Sequence, residues 1–117
     1  MSVIVAVPDA REGKYALAAG IKEAELLDTS LVLVNLGLRA LDCTKIPDAV
    51  TYKILDRHGD DGVHAVLEAI AADDDIERLV VCPKRRSATG KALFGSVSQD
   101  LILQSPVPVL AVTAPHA

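Results

Sequence analysis

Leu79-Val80-Val81-Cys82-Pro83, Lys84-Arg85-Arg86-Ser87-Ala88-Thr89-Gly90-Lys91-Ala92-Leu93-Phe94, Gly95-Ser96-Val97-Ser98-Gln99 and, further on, Val107-Pro108-Val109-Leu110-Ala111-Val112 decide the fold. A short apolar run, a basic loop, a helix start at a Gly-Ser pair and a second apolar run read as strand, loop, helix, strand. Strands of this kind belong to a parallel sheet covered by helices, whose ligand crevice lies beyond the carboxyl ends of the strands. The basic loop falls at that end.

The rest of the chain repeats the alternation. Val3 to Val7 is a strand run ended by Pro8, and Asp9-x-x-Glu12 is a helix-opening capping pair. Leu17, Ile21, Ala24 and Leu27 then form a helical stripe between Arg11 and Leu27. Leu31 to Leu36 and Val50 to Leu55 read as the second and third strands, leaving only Gly37 to Ala49 to connect them. A parallel crossover needs about a dozen residues including its helix, so this connection holds at most a turn or two. Leu38, Leu41 and Ile46 either plug the resulting gap or form an apolar patch open to a partner. Val63, Val66, Leu67 and Ile70 predict a helix capped by Asp60 or Asp61, and Asp73-Asp74-Asp75 ends it as a solvated turn rather than a metal loop. The expectation is an α/β domain over residues 1–117, a doubly wound, five-stranded, mainly parallel sheet with helices on both faces and a shortened second crossover.

Composition narrows the function. With 117 residues, 50% hydrophobic residues, no Trp and a formal charge of -4, the chain suits a buried parallel core and argues against a general nucleic-acid binder. Cys43 and Cys82 are too few for a disulfide framework and imply free thiols in the cytoplasm. The amino-terminal run has no basic start of a signal peptide, and no apolar stretch reaches the ~18 residues of a membrane helix.

The motifs resemble those of the universal stress proteins, whose ATP-holding members carry Gly-x-x-Gly, nine residues, then Gly-Ser or Gly-Thr. Gly95-Ser96 matches the second half, while Cys82 and Arg85 stand at the two earlier glycine positions. The resemblance implies strand order 3-2-1-4-5 and ATP or AMP as candidate cofactors, with none fixed. It implies phosphate contacts at Gly95 and Ser96 and an adenine side near Asn35 and Leu36. A nucleotide-seating acid falls at Pro8, or at Asp9 with a slip of one residue. It also implies a homodimer through the last strand, with Val107, Val109, Leu110 and Val112 at the interface.

Each of these residues also has a reading without a ligand. Lys84, Arg85, Arg86 and Lys91 place four cations within eight residues, which suits charge-based phosphate binding or a solvated basic loop. Ser96-x-x-Gln99 reads equally as a capping box, and Asp9 as an N-cap. A P-loop is excluded, because Arg85 and Ala92 stand where it requires Gly and Ser or Thr. His58, His64 and His116 are scattered, so no catalytic group is named. Cys82 beside Lys84 and Arg85 reads as a buried thiol, or as one with a lowered pKa. The leading expectation is a non-enzymatic, dimeric stress or regulatory module with weak or no ATP binding. The alternative is an adenine-nucleotide or phosphate-metabolite sensor using Lys84, Arg85 and Arg86.

Overall fold

The structure, a computed structural model, describes residues 1–57, 61–84 and 95–115. Its elements run β1 (Ser2–Val7), α1 (Arg11–Leu27), β2 (Ser30–Asn35), β3 (Tyr52–Asp56), α2 (Gly62–Ala71), β4 (Ile76–Val81), α3 (Ser96–Gln104) and β5 (Val109–Ala111). The strands form one sheet in the order β3-β2-β1-β4-β5, with every pairing parallel. The expected order and helix alternation are both present, and the sheet is parallel throughout.

All six residues of β1 are buried, as suits the central strand. Its odd positions Val3, Val5 and Val7 join Leu31, Leu33, Ala16, Leu17 and Ala24 in one cluster under α1. Its even positions Ile4 and Ala6 join Val32, Val34, Val66, Ile70, Leu79 and Leu101 in another, under α2 and α3. The period of two along each strand thus divides the apolar residues between two cores.

α1 lies very close to β1. A Cβ built on Gly20 would sit 2.3 Å from Val5 Cγ2, and one on Gly13 would sit 2.4 Å from the Pro8 carbonyl oxygen. Only residues without a side chain permit that approach. The helix ends at Asp28, whose left-handed backbone (φ 51°) supplies the C-terminal turn.

The connection after β2 contains no helix, as its length requires. Ile46 and Val50 are buried beneath it, and Leu41 and Cys43 pack on the same cluster, so the plug forms in part. Leu38 is the departure, being 92% exposed. Tyr52 and Ile54, opposite Leu31 and Leu33 in register and so on the α1 face, remain about two-fifths exposed. The connection is too short to lay a helix over them.

β5 is an edge strand. Pro108 accepts from the Leu79 N–H through its carbonyl (2.9 Å), so this residue faces β4 at the start of the strand. By alternation, Val109 and Ala111 direct their backbone groups to the open edge.

Leu101 is the one residue of α3 that is fully buried, whereas Leu103 is 74% exposed. Leu101→Ala should lower unfolding free energy by about 2–5 kcal/mol and Leu103→Ala by less than about 0.5 kcal/mol, read from urea denaturation. Equal effects would mean that α3 is not seated as described.

Candidate functional site

The carboxyl ends of β1 and β4 open onto a crevice of about 270 Å³. Asp9, Leu36, Lys84, Gly95 and Ser96 all line it, so five of the seven residues expected at the site come together. Arg85 and Arg86 lie outside the described residues, as do His58, Asp60, Gly90, Lys91 and His116. Glu12, Arg57, Cys82 and Ser98 complete the parts of the described lining that carry chemistry.

Lys84 and Gly95 bracket the basic loop and are joined directly, the Gly95 N–H donating to the Lys84 carbonyl at 3.1 Å. That bond sets where α3 begins. Gly95 is the N-cap, with extended backbone (φ −61°, ψ 152°), and its carbonyl accepts from the Gln99 N–H at 3.0 Å. Ser96 is therefore the first helical residue, and the Ser96-x-x-Gln99 capping box does not form. Among the described residues, the start of α3 carries no side-chain cap. A helix start of this kind presents amide N–H groups and the positive end of the helix dipole.

Asp9 also departs from expectation. Ala10 is the N-cap of α1, in extended conformation and without a side-chain bond, because the helix start is drawn against Pro8 at Gly13. The displaced Asp9 carboxylate instead accepts from the Arg39 guanidinium at 2.8 Å, and that pairing raises the Arg39 pKa. Asn35 makes the pairing possible: it is 5% exposed, accepts from the Gly37 N–H (3.0 Å) and donates to the Arg39 carbonyl (2.8 Å). A side chain at residue 37 would collide with Asp9, the ideal Cβ lying 2.4 Å from Asp9 Cβ. Asn35-Leu36-Gly37 is an Asx turn, a pattern legible in sequence that the strand reading passed over. Asp61, by contrast, caps α2 as expected, accepting from the His64 N–H at 2.8 Å.

The lining is mixed in charge: it carries Lys84, Arg57 and the start of α3 together with Asp9 and the buried Glu12. Cys82, 4% exposed, lines the same crevice. Burial and the Glu12 charge raise its pKa, against smaller opposing effects from the Ala114 backbone and Arg11. The shift runs opposite to the lowered thiol pKa expected beside Lys84 and Arg85, because desolvation and the Glu12 charge outweigh the Arg11 charge. The C-terminal segment crosses here, with Arg11 donating to the Pro115 carbonyl at 2.6 Å. His64 stands apart on the outside of α2, 3.1 Å from Glu68.

A parallel sheet with its crevice at the carboxyl ends of β1 and β4, flanked by the starts of helices, defines a doubly wound α/β protein. Residues 38–113, more than half of the chain, match the profile of the Universal stress protein family. A universal stress protein of Mycolicibacterium smegmatis is 34% identical over 119 residues, covering 89% of this chain and 90% of that one. The chain belongs to the universal stress protein family. The structure of the universal stress protein from Archaeoglobus fulgidus is similar at a TM-score of 0.72 and 22% identity, over 95% of this chain and 97% of that one. Universal stress protein UspA from Lactobacillus plantarum is similar at a TM-score of 0.70 and 10% identity, over 96% and 97%. The latter two likenesses concern the fold.

Alkylation of Cys82 in a Cys43→Ser variant should be slow at neutral pH, its rate rising with an apparent pKa above the ~8.5 of a free thiol. A midpoint below that value would contradict the burial described.

Proposed function

We propose that the chain is a non-enzymatic regulatory module of the cytoplasm, residues 1–117 acting as one domain, that works as a homodimer and does not hold ATP tightly. The observation that carries this reading is Cys82, a buried side chain lining the crevice where ATP-holding relatives have the first glycine of their loop. Glycine there lets the backbone approach a phosphate, and a thiol side chain takes up that space. Pro83 removes a backbone donor from the same segment. Two further features agree. The crevice is smaller than the ~300–1,000 Å³ of most small-molecule sites, and the Asp9 carboxylate is already engaged by Arg39.

Charge favours a second reading: Lys84, Arg57, Gly95 and Ser96 would hold a phosphate-bearing metabolite, with Arg85 and Arg86 adding charge and Leu36 bounding an adenine. The start of α3, which lines the crevice and has glycine at its N-cap, supports it. Glu12 works against it by placing a buried acid in the same lining.

Dimerisation rests on the β5 edge. Val107 and Val109 pack toward the α2–α3 core and Leu110 and Val112 toward the α1 core, all only partly buried. A second copy pairing along the edge would complete their cover and satisfy the open backbone groups, in a closed two-fold arrangement.

Sedimentation equilibrium at micromolar concentration should give twice the 12.3 kDa chain mass, unchanged by millimolar magnesium ATP. A single-chain mass would overturn the dimer, and an ATP-dependent mass would overturn the nucleotide-independent module.

A further inference from the structure

The short second crossover leaves a groove of about 920 Å³ between α1 and residues 39–47. It lies on the α1 face of the sheet, whereas the crevice opens beneath α2 and α3, and the two share only the Pro8–Ala10 rim. Its volume falls within the ~300–1,000 Å³ of small-molecule sites.

Leu17 and Ile21 of α1 face Leu41 and Pro47 of the connection across an apolar floor. Lys14 and Lys45, both exposed, line the groove from opposite walls. Of the acids there, Asp9 is paired with Arg39, and Asp42, which accepts both the N–H (3.0 Å) and the hydroxyl (2.7 Å) of Thr44, keeps its charge near Lys45. Glu25 lies eleven residues beyond Lys14 on α1, roughly 16 Å along the helix at 1.5 Å per residue. The Lys14 end of the groove therefore keeps a positive balance.

We propose that this groove binds a small amphipathic anion, an aliphatic body bearing one carboxylate or phosphate. The body lies on the apolar floor, and the head group is held between Lys14 and Lys45. Lysines suit this task because their flexible stems deliver a point charge without demanding one head-group geometry. The size and the mixed lining fit a compact amphiphile better than a bare ion, which would leave the floor wet.

Tyr15 supplies a reporter. It lines the groove with the Lys14 ammonium 5.2 Å from its ring centroid, and Tyr52 is the only other tyrosine in a chain without tryptophan. In Tyr52→Phe protein, titration with octanoate and with octyl phosphate, below their micellar concentrations, should change Tyr15 fluorescence saturably. Whichever binds more tightly names the head group. Octanol and inorganic phosphate should each bind at least about tenfold more weakly, and Lys14→Ala or Lys45→Ala should weaken the preferred anion by about tenfold. Lys84→Ala, a change in the crevice, should leave that affinity unaltered. Circular dichroism identifies any variant that fails to fold, and the comparison of anion with octanol on the Tyr52→Phe protein needs no further substitution. No saturable response to either anion at millimolar concentration would overturn the proposal. So would octanol binding as well as the anions, or affinity indifferent to both lysine substitutions.

Discussion

The close contact of α1 with β1, permitted by Gly20 against Val5 and Gly13 against Pro8, is the constraint on which the rest of the structure depends. A central strand buried on both faces needs a helix within van der Waals reach, and here α1 is the only described helix on its face. The same contact fixes the start of α1, moves the N-cap to Ala10 and releases Asp9 to Arg39. A packing requirement at two glycines thus decides the electrostatics of the crevice.

The shortened crossover is the second determinant. With no helix to lay over β2 and β3, the chain economises by burying Ile46 and Val50 and leaving Tyr52, Ile54 and Leu38 open. What covers one part of the sheet also walls the groove beside α1. Crevice and groove therefore arise from one topology but differ in character. The crevice is small and mixed in charge, with Lys84 and Arg57 alongside Asp9 and the buried Glu12, while the groove is larger, with an apolar floor and lysines on its walls.

Much of the fold was legible because parallel strands buried on both faces write themselves as unbroken β-branched runs, as in Val3-Ile4-Val5-Ala6-Val7. The helix stripe through Leu17 and Ala24 and the Asp61 cap were readable for similar local reasons. Capping at Asp9 and Ser96 was misplaced because both depend on where a neighbouring strand end or loop bond pulls the helix start, which no local spacing records. The raised pKa of Cys82 was equally hidden: neighbouring cations are visible in sequence, but burial and the proximity of Glu12 are not. Arg39 sits 30 residues from Asp9, and only the turn at Asn35 and Gly37 brings them together.

The central claim is that a buried thiol in place of a loop glycine and an engaged Asp9 remove tight nucleotide binding while the fold stays intact. Calorimetric titration with ATP and with AMP, with and without magnesium, tests it most directly. The account predicts no measurable heat of binding from ATP at concentrations where ligand-holding sites saturate, below about 100 μM. Micromolar ATP binding that weakens when Lys84 becomes Ala would contradict it and establish a nucleotide sensor instead.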